Sequence, residues 1–213
     1  MIRSKKMLLV GMMGLLAGLQ AKAALYTYSG SAYAIPDGNP NGALSSIAVS
    51  GAAKTITHVN VNLNISGGYN GDLYGYLSYN GTLVTLINRV GTSGADPFGY
   101  GDAGFNVTLN DSAANGSIHN YLNVTDPNGA ALTGTWAPDG GTLASFNGGN
   151  PNGTWSLFFA DLSGGGGTPT VNGWSLDITA VPEPATQALM IVGTIWGSWS
   201  LLRWLRSRRA PQT

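Results

Sequence analysis

The stretch HVNVNLNI, residues His58–Ile65, decides the fold class. Val59, Val61, Leu63 and Ile65 fall on one side, and Asn60, Asn62 and Asn64 on the other. A period of two is that of a half-buried β-strand. The run GYNGD (68–72) that follows reads as a turn. LYGYLSY (73–79) and TLVTLINRV (82–90) then read as two strands around Asn80-Gly81, a strong hairpin signal. GFNVTL (104–109) repeats the alternation with Phe105, Val107 and Leu109. Further strands are expected at GTWSLFF (153–159) and GWSLDI (173–178), the second with Trp174, Leu176 and Ile178 on one face. Several short strands separated by turns predict an all-β, antiparallel jelly-roll sandwich over residues 24–180.

Composition supports strands over helices. The 213 residues include 32 glycines and only 9% charged residues, and Gly and Asn are poor helix formers. The zero net charge of the whole chain hides an asymmetry. Between Ala24 and Val181 stand two basic residues, Lys54 and Arg89, against nine aspartates, a net charge of −7. Phosphate binding needs a basic footprint, so nucleic acid is excluded as a partner. The acidic middle either solvates the surface or offers hard oxygen ligands to calcium. No cysteine is present, so disulfides and thiolate chemistry are excluded.

The ends differ from the middle. A basic start, Met1–Lys6, precedes the apolar run Met7–Leu19. Ala21 and Ala23 then form an A-x-A site, which predicts a signal peptide over 1–23, cut by signal peptidase before Ala24. Ala188–Leu202 is an uncharged run of ~22 Å as a helix, short of a ~30 Å hydrocarbon core. It reaches about 188–205 if Arg203 snorkels. A transmembrane helix is expected there, with Arg203, Arg206, Arg208 and Arg209 as its cytoplasmic basic cluster.

Val181-Pro182-Glu183-Pro184, the helix and the arginine cluster together resemble a PEP-CTERM sorting tail, covering about 181–209. Glu183 is the only glutamate in the chain. The resemblance implies recognition and cutting by an exosortase, in Gram-negative bacteria that make exopolysaccharide. Pro182 and Pro184 bias their neighbours toward the extended geometry that an enzyme cleft accepts.

The middle resembles the P domain of proprotein convertases, also called the P/Homo B domain, over about 35–179. IPDG (35–38), NGDLYGYLSYNGT (70–82), Gly153-Thr154-Trp155 and Gly173-Trp174-Ser175-Leu176 carry the match. It implies a non-catalytic jelly roll that usually follows and stabilises a subtilisin-like protease domain. Sandwiches of this kind often hold calcium at strand–turn junctions, which singles out Asp72 and Asp161. The glycine loop after Asp161 adds no charge, so an Asx-turn is the other role for each.

No catalytic constellation is expected: neither G-x-S-x-G nor H-E-x-x-H occurs, and His58 and His119 read as exposed or hydrogen-bonded strand residues. The predicted protein is a non-catalytic surface or matrix protein with a structural or adhesive role. It is expected to be anchored in the inner membrane, processed by an exosortase and delivered to the cell surface or matrix. Two alternatives are a polysaccharide-binding module, calcium-assisted or stacking sugars on Tyr69, Tyr74, Tyr76 and Tyr100, and a protease accessory domain acting in trans.

Overall fold

A computed structural model describes the backbone of residues 22–207 and the side chains of 22–183 and 192–204. The strands are β1 (Ala24–Gly30), β2 (Tyr33–Ala34), β3 (Asn39–Val49), β4 (Thr55–Ser66), β5 (Leu73–Tyr79), β6 (Thr82–Asn88), β7 (Phe105–Leu109), β8 (Leu132–Trp136), β9 (Gly153–Asp161) and β10 (Thr170–Val181). They form two sheets. One runs β1-β10-β4-β7-β8, with the short β2 also on β10; the other runs β3-β9-β5-β6.

The decisive stretch lies in β4. Val59, Val61, Leu63 and Ile65 are buried, and the three asparagines between them face away from the core. The inward residues of both sheets make one hydrophobic cluster, in which Leu63, Phe105, Leu77, Trp155 and Phe159 are fully buried. Two indoles need polar partners to be buried without cost. Trp155 Nε1 donates to the Pro151 carbonyl at 2.8 Å, and its ring stacks on Tyr79 at 4.1 Å. Trp174, on β10 of the larger sheet, donates to Ser45 Oγ on β3 of the smaller sheet at 3.0 Å. That bond joins the two layers through the core.

The hairpin expected at Asn80-Gly81 is present. Both residues have positive φ, 47° and 80°, as a type I′ turn requires. The expectation of an all-antiparallel sandwich is corrected at one place: β7 and β8 run parallel, pairing Phe105 with Leu132 through Leu109 with Trp136. A parallel neighbour needs a long crossover. Residues 110–131 supply it, and Ile118 and Tyr121 from their short 3-10 segment are buried in the core.

Ala24–Ala180 forms one compact unit, and the C-terminal helix α1 (Pro184–Ser207) belongs to another. The 24 residues of α1 reach ~36 Å, which is length enough for a bilayer. Even so, among the described residues no helix is long and apolar enough to cross a membrane. The first residues of the span expected at about 188–205, up to Ile191, lie outside the residues whose side chains are described. Gly193, Thr194, Gly197, Ser198, Ser200 and Arg203 dilute its apolar residues. Ser198 Oγ donates back to the Thr194 carbonyl and Ser200 Oγ to that of Trp196, both at 2.7 Å, a bond that satisfies a hydroxyl without making it apolar.

Two glycines separate steric from conformational demands. A Cβ on Gly75 would stand 2.3 Å from the buried Phe159 ring, whereas one on Gly81 would meet nothing. Gly81→Ala is expected to cost roughly 1–2 kcal/mol, from its left-handed backbone alone. Gly75→Ala is expected to cost about 1–3 kcal/mol or more, because a core ring must move. Urea unfolding of the two variants checks the order; equal, small losses would deny the close packing at Gly75.

Candidate functional site

The aspartates singled out in the sequence, Asp72 and Asp161, meet at one end of the smaller sheet. Asp161 is the last residue of β9 and pairs with Leu73, the neighbour of Asp72. Leu162 N–H donates to the Asp72 carbonyl at 2.9 Å. Both residues are buried, Asp161 completely. Asp161 Oδ1 accepts from Ser163 N–H at 3.1 Å, while its Oδ2 has no hydrogen-bond partner.

A third aspartate belongs here that the sequence did not single out. Asp37, in the IPDG turn, accepts from Gly165 N–H at 3.3 Å and adds negative charge near both of the others. Its signal was present, since IPDG precedes the strand that pairs with β9, but only the β3–β9 register brings it here. Burial pushes the Asp72 carboxyl above its ordinary range, against the lowering effect of Arg89, and Asp37 adds to the rise. Burial raises Asp161 as well; the Ser163 and, more weakly, the Gly38 backbone N–H oppose it, and Asp72 and Asp37 reinforce it. Asp161 is therefore bound as an Asx-turn on one oxygen and left unsatisfied on the other. Among the described residues no three His, Cys, Asp or Glu side chains converge closely enough to hold a metal ion.

The histidines are engaged locally. His58 Nε2 lies 2.8 Å from Asn60 Oδ1 on β4. His119 sits in the crossover turn rather than in a strand. Its Nδ1 is 2.9 Å from Asp139 Oδ2, and its Nε2 is 3.0 Å from the Thr92 carbonyl. Both partners only accept, so satisfying both requires the doubly protonated ring. Burial would lower its pKa, but the bonds to Asp139 and Thr92 outweigh burial and raise it.

The four tyrosines expected to stack on sugars differ in how far packing engages them. Tyr76 is stacked on Phe158 at 4.8 Å and 19°, so the two rings cover each other's faces. Tyr74 meets Tyr76 edge-on at 6.1 Å. Tyr100 meets the buried Tyr121 edge-on and covers Gly91. Tyr69 is half exposed, with its ring against Gly166.

At the tail, Val181 ends β10, and Pro182 and the exposed Glu183 connect it to the helix. Pro184 is the first helical residue rather than part of an extended segment; its missing N–H and fixed φ suit that position. Arg203 lies over the Trp199 ring at 4.1 Å. Arg206 lies within α1, and Arg208, Arg209 and Ala21 fall outside the described residues. Ala23 precedes β1, and Ala24 begins it.

No family model and no curated protein matches the chain. Among solved structures it is similar to a serine protease of Aeromonas sobria in complex with the chaperone, at 16% identity and a TM-score of 0.45. That match covers 80% of this chain and 29% of the other. The serine protease of Aeromonas sobria solved by itself is similar at 16% identity and a TM-score of 0.43, over 79% of this chain and 29% of that one. The chain thus spans less than a third of the length of these proteins.

The acid cluster makes a signed prediction. A carboxylate whose folded pKa is raised opposes folding when ionised, so its contribution is most favourable below the ordinary value of 3.8 and is lost as pH rises through the raised pKa. Asp161→Asn keeps an oxygen for Ser163 N–H and removes the charge. It is expected to raise the melting temperature at pH 7 and to close the gap to wild type near pH 4. A lower melting temperature at pH 7 would show that the ionised carboxylate is stabilising.

Proposed function

We propose that this protein is a non-catalytic, exported β-sandwich that serves a structural or adhesive role at the cell surface or in the extracellular matrix. Its C-terminal segment 181–209 acts as a PEP-CTERM tail that delivers the precursor to an exosortase at the inner membrane. The sandwich is of the P-domain, jelly-roll kind. Signal peptidase removes residues 1–23.

One observation carries this proposal: the compact unit runs from Ala24 to Ala180. Cutting before Ala24 and beyond Val181 would leave that unit whole, so both processing events spare the core. Glu183 supports the role further. It is exposed in the short link between strand and helix, flanked by two prolines, where a cleft can reach it. The tail offers a membrane exposed indoles, with Trp196, Trp199 and Trp204 at 69%, 53% and 49% exposure. Indoles with a nearby arginine suit the headgroup region. Calcium is left out of this role, because among the described residues Asp37, Asp72 and Asp161 do not converge closely enough to hold an ion.

Intact-mass spectrometry of the mature protein tests the proposal in a host with an exosortase. The wild-type chain is expected to lose the tail from the 181–184 region onward. Glu183→Ala is expected to keep Thr213 and accumulate in the membrane fraction with an unchanged melting temperature. Normal trimming of Glu183→Ala, or a wild-type chain that retains Thr213, would contradict it.

A further inference from the structure

The outer face of the larger sheet holds a shallow cleft of about 550 Å³, within the range of ligand sites. Its lining carries no Lys, Arg, Asp or Glu. A solvated sheet face is ordinarily studded with charged residues. Here the outward positions of β4 and β7 include Asn60, Asn62, Asn64, Asn106 and Thr108. Asn is depleted from strands, so its use along two interior strands calls for a chemical reason.

The strand registers place these side chains in rows. Ser29 lies opposite Ser175, Thr108 opposite Asn62, and Thr108 also opposite Thr135. Asn62 joins β10 to β4 by donating to Ser175 Oγ at 3.0 Å, and it accepts from Thr108 Oγ1 at 2.7 Å. A single hydroxyl–amide row therefore crosses all five strands. Asn62 is the fixed member, since Asp177 Oδ2 takes a further bond from its amide at 2.9 Å. The next row is less committed. Asn64 Oδ1 accepts from Asn172 at 2.9 Å, leaving its NH₂ group free, and the exposed Asn106 amide opposite it makes no hydrogen bond among the described residues. Beside them Gly173 leaves bare floor, because a Cβ there would meet nothing.

We propose that this cleft binds a neutral polysaccharide chain through Asn64 and Asn106, positioned by the fixed Asn62 row. A side-chain amide carries a donor and an acceptor side by side, which matches the neighbouring hydroxyls of a sugar ring. The bare glycine floor admits the ring. The domain's net charge of −7 and the absence of any cation in the cleft select against acidic polymers. The proposal rests on export to the matrix but not on how the tail is processed. It also places sugar recognition on side-chain amides rather than on tyrosine rings.

The test is an array of neutral polysaccharides (β-1,3-glucan, cellulose oligomers, mannan, dextran, galactan) with alginate as the acidic comparison, probed with the full-length chain in detergent. At least one neutral glycan is expected to bind at millimolar affinity or better, and alginate is not. Asn64→Ala/Asn106→Ala should weaken binding at least tenfold with its melting temperature unchanged. Ser46→Ala/Thr154→Ala, on the opposite outer face, should bind like wild type. Glu183→Ala should also bind like wild type, so failure of the cleft and failure of tail processing are read separately. No neutral binder, a preference for alginate, or wild-type affinity in the double asparagine variant would overturn the proposal.

Discussion

Asn70, Gly71 and Asp72 carry the chain from β4 in the larger sheet to β5 in the smaller one, and all three are buried. A buried turn must find partners for every backbone polar group it brings with it. This one finds them in distant loops. Asn70 N–H donates to the Asp102 carbonyl, Gly71 N–H to the Tyr100 carbonyl, and the Asp72 carbonyl receives Leu162 N–H. The Asn70 side chain accepts from Gly104 N–H at 2.7 Å and donates to the Gly104 carbonyl and to Tyr121 Oη. Tyr121 in turn donates to Asp102 Oδ2 at 2.6 Å. The point where the sandwich changes layers is thus a polar knot that ties the β6–β7 loop, the crossover turn and the end of β9 together. Without it the two sheets would share only apolar contacts at this end, and those do not fix register.

The same knot explains where the acidic groups sit. Arg89 stands beside it with a φ of 48°, and its Nε donates to the Gly71 carbonyl at 3.2 Å. It is one of only two Lys or Arg residues in the domain, and it is used to hold a turn. Asp72 and Asp161 lie just past the knot, where β5 and β9 pair, so their burial follows from the crossover. The unsatisfied Asp161 oxygen is the local cost of that arrangement. By contrast the outer face of the larger sheet presents amides and hydroxyls that the core does not require.

Much of the fold was legible because it depends on local pattern. β4, β5, β6, β7, β9 and β10 each show apolar alternation or a hairpin turn that physics reads directly. The strands that escaped notice lack that pattern. β1 is an edge strand with no fully buried residue. β3 opens with Pro40 and Gly42 and contains a bulge between Asn39 and Ala43, so its early residues do not alternate. β8 holds Gly134 at a φ of 98° and pairs parallel, a partnership that no local signal announces. The asparagine stripe of β4 was equally visible, yet its meaning depended on Ser175, Thr108 and Asn106 arriving beside it from other strands. Asp37 joined Asp72 and Asp161 for the same reason. The tail helix was legible as a helix from its uncharged run.

The central claim is that the buried Asn70–Asp72 crossover holds the two layers in register. Amide hydrogen exchange on the exported chain tests it most directly. The N–H groups of Asn70, Gly71 and Leu162 should exchange as slowly as those in the middle of β4 and β9, since all open only when the sandwich does. Exchange of these three amides as fast as the exposed glycine loop at 164–167 would contradict it, and would show that the layers are held without the crossover.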